Sequence, residues 1–379
     1  MKIALLTNGV YPFVIGGMQK HSYFLAKYFA KNQLYVDVYH PGGKIKEEIN
    51  ISDFFTKEEL RYLAFIEIPF PKVKTFPGHY ILSSYLYSKA LYNHLALCKE
   101  ENKFIYAQGF TSWYFLKKQN FQQNLISNLH GLEMFQCTIN LKNRLEQILL
   151  KIPASFIIKK SNKQISLGGK LTNILYKNGG KPNLVVEIPN AIESNWVINE
   201  SAFKSENSTQ RIKFVFIGRY ERRKGIEEFH EVIQKTIDIL NYEVNFIGPI
   251  PEEKQFKHKN VNYLGAIMES DKIKEVLINS DILVCPSYSE GMPTVILEAM
   301  ACGCAIIATD VGATSTIVNV DNGWLLKGDI VSNLHTAILS ATSCSSEELI
   351  FKKKQSIQKV LKNFTWKKVI QKTIKSLEI

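Results

Sequence analysis

The chain has 379 residues, 45% of them hydrophobic, enough to bury a large core and to argue for two domains. Its formal charge of +12 is one-sided: residues 1–190 hold 24 Lys and Arg against 12 Asp and Glu, while residues 191–379 hold 23 basic and 23 acidic residues. No apolar run reaches the roughly 18 residues of a membrane-crossing helix, because Lys151 and Glu298 interrupt the longest candidates.

The first seven residues turn polar at Asn8-Gly9 without a small-residue cleavage pattern, so they read as a first β-strand rather than a signal peptide. Short apolar runs then alternate with helical patterns, which predicts α/β layers with parallel sheets. Strands are expected at 3–7, 34–39, 65–68, 104–107, 125–129, 164–167 and 185–188, with helices over 18–30 and 80–99. The stretch 199–210 has the composition of a linker. The alternation restarts with strands at 212–217, 244–247, 261–264, 282–284 and 305–308, and with helices over 226–239 and 293–302. Two Rossmann-like domains joined near residue 200 are expected. Cysteines at 98, 137, 285, 302, 304 and 344 show no disulfide-like spacing, and Cys302-Gly303-Cys304 reads as core packing rather than a metal site. That usage suits a reduced, cytoplasmic setting.

The run from Ser289 to Met300 carries the sharpest chemical signal. Pro293 fits a first helical turn, where a missing N–H is harmless. Gly291 lets backbone approach a ligand, and the amides of Met292 and Thr294 open a positive-ended anion site. Glu290 and Glu298 stand eight residues apart, about 12 Å along a helix. Glu298 lies among Val295, Ile296, Leu297, Ala299 and Met300, where a carboxylate needs a partner. This suits a nucleotide-sugar: hexose near one carboxylate, diphosphate at the helix N-terminus, ribose near the other. The plainer reading is a buried helix with a capping acid and a stray glutamate.

Gly218-Arg219 ends a strand five residues before Lys224-Gly225. A guanidinium fork and a mobile ammonium there suit a departing diphosphate, although Glu221, Arg222 and Arg223 between them also fit a solvated turn. Gly16-Gly17 occupies the turn before the first helix, where glycine admits a phosphate, and His130-Gly131 closes a strand at the sheet edge where open α/β folds bind ligands. Thr309-Asp310-Val311-Gly312, Asn322-Gly323 and Ile188-Pro189-Asn190 follow further strands and read equally well as turns.

Taken in order, these motifs resemble the retaining family-4 glycosyltransferases of GT-B fold, over nearly the whole chain and most closely over residues 212–326. The resemblance implies two Rossmann-like domains facing each other across a cleft. It divides the chain into an acceptor domain (1–198), a linker (199–210), a donor domain (211–362) and a last segment (363–379). The Phe364-Thr365-Trp366 segment would start a helix that crosses back to the first domain. It implies no cofactor beyond a nucleotide-sugar co-substrate, UDP-sugar first and GDP-sugar second. Arg219 and Lys224 would take the diphosphate, with Gly218, Gly291, Met292, Pro293 and Thr294 around it. Glu290 would hold the sugar hydroxyls, Glu298 the ribose, Gly16 and Gly17 the phosphates from the first domain, and His130 the transferred sugar. Front-face attack would retain the anomeric configuration without a divalent metal. Asn32-Gln33 and Ala313-Thr314 depart from the usual pattern, the second pair at the sugar side.

The resemblance also offers the basic half a partner, a glycan or lipid-linked acceptor at the inner face of the plasma membrane. Residues 148–160, expected to be broken by Pro153, and the Tyr85, Tyr87, Tyr92 stripe could rest on anionic lipid. Two other readings stay open: a nucleotide-sugar epimerase of related architecture, and a non-catalytic basic protein that binds membranes. No nucleic-acid motif appears.

Overall fold

The computed structural model describes residues 2–43, 50–97, 103–118, 125–137, 141–199 and 211–377. The linker stretch beyond Asn199, and Cys98, lie outside these residues. The chain divides into two units, Met1–Phe135, Asn140–Asn190 and Trp366–Ile379 in one, Gln136–Ile139 and Ala191–Thr365 in the other.

In the first unit, Ile3 to Leu6 are all fully buried, as a parallel strand covered on both faces requires. That strand, β1 (Lys2–Leu6), pairs in parallel with β2 (Tyr35–His40) and with β4 (Lys103–Gln108). With β3 (Leu63–Glu67), β5 (Leu125–Asn128), β6 (Gln164–Ser166) and β7 (Val185–Glu187), they form one sheet ordered β3-β2-β1-β4-β5-β6-β7. The order reverses direction at β1 and β4, so the loops leaving their carboxyl ends open at a topological switch point.

The Gly17–Lys31 helix buries Leu25, Ala26 and Phe29 against this sheet. On another face it receives the Trp366–Leu377 helix. Trp366, Val369, Ile370 and Thr373 are buried at the i, i+3, i+4, i+7 spacing of one stripe. The Trp366 ring stacks on Tyr28 at 5.5 Å and lies 5.7 Å from Phe24. Gln371 Nε2 donates to Asn32 Oδ1 at 2.9 Å.

The second unit repeats the plan. Its sheet is ordered β10-β9-β8-β11-β12-β13, all parallel, from β8 (Ile212–Ile217), β9 (Tyr242–Ile247), β10 (Val261–Tyr263), β11 (Ile282–Cys285), β12 (Ala305–Thr309) and β13 (Gly323–Leu326). Phe214, Phe216, Phe229, Phe246, Ile282 and Ile307 fill the core. Strand β13 was not expected from sequence. It sits so close to β12 that a Cβ on Gly323 would fall 1.9 Å from the Ile306 carbonyl oxygen. Fully buried Asn322 shapes the turn before it, donating from Nδ2 to Ile317 O at 3.0 Å and accepting from Asn319 N at 2.9 Å. Asn322-Gly323 is therefore architecture.

Three local expectations are corrected. The Leu141–Lys160 helix runs through Pro153 instead of breaking there. Burial of Ala154, Ile157 and Ile158 outweighs the lost hydrogen bond. Tyr87 faces no surface: it is fully buried and donates to Thr7 O at 3.0 Å. Tyr85 and Tyr92 are half-buried and pack against Tyr114 at 5.6 and 5.2 Å. Finally, Pro293 is the N-cap rather than a residue of the first turn, with the helix running Thr294–Ala301. Cys302 and Cys304 are buried, the Cys302 thiol pushed up to about 12 by burial and the Cys304 thiol bonded to Leu277 O at 3.2 Å, as packing residues should be.

Candidate functional site

The second unit gathers its polar side chains where β8, β11 and β12 end. After β8, Gly218 donates its N–H to Ile247 O at 2.9 Å. Gly248, at φ +144°, faces it so closely that a Cβ would lie 1.9 Å from Gly218 O. Arg219 turns outward, its side chain 70% exposed, with Nε 3.0 Å from Glu221 Oε1.

The turn Arg222–Lys224 ends at Gly225, left-handed at φ +68°, where any Cβ would sit 2.0 Å from Pro286 O. That contact seats Lys224 against the loop leaving β11. Lys224 Nζ donates to Glu290 Oε1 at 2.6 Å, and Ser287 Oγ donates to the same oxygen at 2.8 Å. Arg223 Nη1 lies 3.9 Å from Glu290 Oε2. The structure thus brings Lys224 and Glu290 together but leaves Arg219 apart.

The loop holding Glu290 is pinned by groups far away in sequence. Tyr288 N donates to Arg223 O at 2.8 Å, while Tyr288 OH donates to the buried Glu228 at 2.6 Å. Arg222 Nη1 also donates to Glu228, at 2.8 Å. Gln136, grouped with this unit, donates from Nε2 to Glu290 O at 2.7 Å and accepts from Glu290 N at 3.3 Å. From the β12 side, Ala313 N donates to Gly291 O at 2.8 Å. Gly312 makes that approach possible: at φ +54° its Cβ would lie 2.2 Å from Glu290 O. Ala313 and Thr314 are buried, so the sequence departure there contributes backbone more than side chain.

Past Gly291 the chain enters the Thr294–Ala301 helix, with Met292 and Pro293 buried ahead of it. First-turn amides of a helix have no intrahelical acceptor, which favours an anion at that end. Glu298 is half-buried between buried Leu297 and Ala299. Cys285, beneath this loop, has its thiol pushed up to about 11 by burial and then by the Glu290 charge, so it stays protonated.

In the first unit, Gly16 is the N-cap of the Gly17–Lys31 helix in an extended conformation, and Gly17 begins the helix, exposed. A Cβ on Gly17 would meet nothing within 4 Å, whereas one on Gly16 would meet the flexible end of Gln19 at 2.2 Å. His130 follows β5 at φ +57°, with Leu132 at φ +52°, both left-handed conformations that non-glycine residues seldom adopt. Asn128 Oδ1 accepts the His130 N–H at 2.9 Å. Burial, and then the neighbouring His21, hold the His130 imidazole well below its usual range, so it is neutral at pH 7.

Sequence reasoning missed Ser287, Gln136 and the Arg222–Glu228–Tyr288 network. Ser287 lies three residues before Glu290 and could have been flagged; Gln136 carries no local signal.

Residues 211–343 match the family model described as Glycosyl transferases group 1. A Bacillus subtilis (strain 168) protein, provisionally named a teichuronic acid biosynthesis glycosyltransferase, is 35% identical over 124 residues, 33% of this chain and 31% of that protein. The N,N'-diacetylbacillosaminyl-diphospho-undecaprenol alpha-1,3-N-acetylgalactosaminyltransferase of Campylobacter jejuni is 31% identical over 237 residues, 59% of this chain and 57% of that one. The chain thus spans about a third and just over half of these two relatives. Among solved structures, sucrose-phosphate synthase from Thermosynechococcus elongatus superposes with TM-score 0.77 at 16% identity, covering 99% of this chain and 97% of the other. Anabaena HepE in complex with UDP-glucose superposes with TM-score 0.69 at 15% identity, covering 100% and 99%.

Proposed function

We propose that this chain, whose residues 211–343 match the group 1 glycosyltransferase model and whose fold is GT-B, moves a hexose from a nucleotide-diphosphate-sugar to a cell-surface glycan or lipid-linked acceptor. The observation that carries this reading is the Lys224–Glu290 pair, 2.6 Å apart, ahead of the Thr294–Ala301 helix at the carboxyl edge of the second sheet. It puts a cation for phosphate and a carboxylate for sugar hydroxyls within one donor's reach. A UDP-glucose complex of a structural neighbour supports UDP-sugar as the first donor to try, with GDP-sugar second. A relative named for a diphospho-undecaprenol acceptor supports the lipid-linked class.

In the proposed step, the bond from the anomeric carbon to the diphosphate oxygen breaks and the acceptor oxygen bonds to that carbon on the same face. The acceptor proton passes to the leaving phosphate, so configuration is retained and no divalent metal is required. Lys224 and Arg219 take the charge that develops on the diphosphate. Glu290 accepts from sugar hydroxyls and Glu298 from the ribose. Gly218, Gly291, Met292, Pro293 and Thr294 supply backbone around the phosphates. Gly16 and Gly17 are assigned to the phosphates, and neutral His130 to a hydroxyl of the transferred sugar.

We place the reaction at an anionic membrane surface, the inner face of the plasma membrane. Leu145, Ile148 and Ile152 are exposed at 67%, 51% and 67% and recur at helical spacing beside Arg144 and Lys151. A stripe of this kind suits anionic lipid. No helix among the described residues is long and apolar enough to cross a membrane. Cosedimentation with phosphatidylglycerol vesicles at low salt should capture the protein, and Ile148→Asp with Ile152→Asp should release it. Equal binding by that variant would remove the surface from the proposal.

The activity test is release of nucleoside diphosphate from UDP- and GDP-sugars mixed with lipid-diphosphate saccharides, with the product's anomeric configuration read by NMR. A retained-configuration product supports the proposal. Free epimerised sugar would favour the epimerase reading, and no turnover of any donor would favour the non-catalytic one.

A further inference from the structure

His130 occupies a fixed backbone but has an unanchored ring. Two non-glycine residues within three positions are left-handed, and such strain persists only where the surroundings over-determine it. Here buried Leu132 and the Asn128 side chain do so for the backbone. The imidazole is different. Its Nε2 is buried with no hydrogen-bond partner among the described residues. What borders the ring is a second histidine. His21, buried on the Gly17–Lys31 helix, lies 5.1 Å away, edge to face at 84°. The Nε2 of His21 is likewise buried without a partner.

His21 has its own backing. Its ring lies 5.3 Å from that of Trp366, which is fully buried and also covers Phe24 and Tyr28. Positions 21, 24 and 28 form one stripe of a single helix, so Trp366 spans two turns of it. Trp366 is also the residue at which the chain re-enters the first unit.

We propose that His21 is a positioning residue for His130, and that the ring series Trp366–His21–His130 sets the orientation in which His130 meets the transferred sugar. The inference rests on the role given to His130 above. Packing against His21 replaces the hydrogen bond that commonly fixes an imidazole. It also leaves the His130 Nε2 without a competing protein partner among the described residues. The arrangement requires neutral rings: His21 is lowered to about 4 by burial, and a charge on either histidine would oppose one on the other. Around the pair, Glu133 in the same turn has its carboxylate against Gly131, and Lys20 and Lys367, on the two helices that flank His21, are exposed.

The test compares wild type, His21→Phe, His21→Ala and His130→Ala in the full chain by two readouts. Imidazole 15N spectra need no turnover. His21→Ala is expected to shift and broaden the His130 signals at pH 7, and His21→Phe to keep them sharp. In the transfer assay, His21→Ala should lower kcat about tenfold or more, the scale for a misplaced reacting group, with donor KM within about twofold. His21→Phe should restore most of that loss. Unchanged His130 signals in folded His21→Ala would overturn the inference, as would equal activity of the Ala and Phe variants. Full activity of His130→Ala would instead remove the sugar-contact role, while the spectra would still decide whether His21 orients the ring.

Discussion

Lys224 Nζ lies 2.6 Å from Glu290 Oε1, so the cation proposed for the phosphate and the carboxylate proposed for the sugar are each other's partner. Their side chains are 18% and 10% exposed, a setting in which an ion pair is costly to break from one side. A donor that takes Lys224 must leave Glu290 with Ser287, Arg223 and its own hydroxyl donors.

Lys224→Ala should therefore destabilise the protein by about 1–3 kcal/mol, the cost of leaving a buried acceptor short of its charged donor. Glu290→Gln in that background should recover part of the loss. Urea unfolding of the four members of this cycle measures the coupling; additive changes would mean the pair contributes nothing net.

Gly17→Ala separates folding from donor contact. The new Cβ meets nothing within 4 Å, so thermal unfolding should shift by no more than about 0.5 kcal/mol. If phosphates approach this turn, turnover should fall nonetheless. Gly312→Ala is the contrast, because φ +54° and the Glu290 carbonyl at 2.2 Å both oppose a side chain. It should reduce stability and donor binding together.

Glu298→Gln should weaken nucleotide binding by about 1–3 kcal/mol if the carboxylate accepts ribose hydroxyls. Arg219→Ala, at an exposed side chain held by Glu221, should leave stability unchanged and lower kcat more than donor affinity. Titration calorimetry for the first and steady-state kinetics for the second give the readouts.

Acid should destabilise the fold through buried histidines. His21 is lowered from 6.5 to about 4 in the native state, so between these values the unfolded chain binds the extra proton. Stability therefore rises with pH across that window: it is fully present above about 6.5 and is lost as pH falls toward 4. The slope is up to about 1.4 kcal/mol per pH unit for each such histidine. His21→Phe should flatten it, as followed by urea unfolding from pH 7 to 4.5.

Most strands were legible because a parallel strand buried on both faces must be a continuous apolar run, as Ile3 to Leu6 are. Strand β13 escaped because Asn322-Gly323 reads as a turn, and its glycine is required by proximity to Ile306 rather than by a bend. Pro153 misled for the opposite reason, a local rule overridden by the burial of its neighbours. At the site, Glu290, Lys224 and Gly218 were readable from strand ends and glycines. Their mutual arrangement was not, since Lys224 reaches Glu290 across 66 positions and Gln136 across 154. His21 gave no signal at all: an unremarkable residue on an amphipathic helix becomes informative only beside His130.

The most direct test of the account is calorimetric titration of the full chain with UDP and UDP-sugars, alongside GDP-, ADP- and TDP-sugars, in wild type and Glu298→Gln. Saturable binding of one nucleotide class, weakened in the variant, is the predicted result. Absence of binding across the panel by folded wild-type protein would contradict a donor site in the second unit.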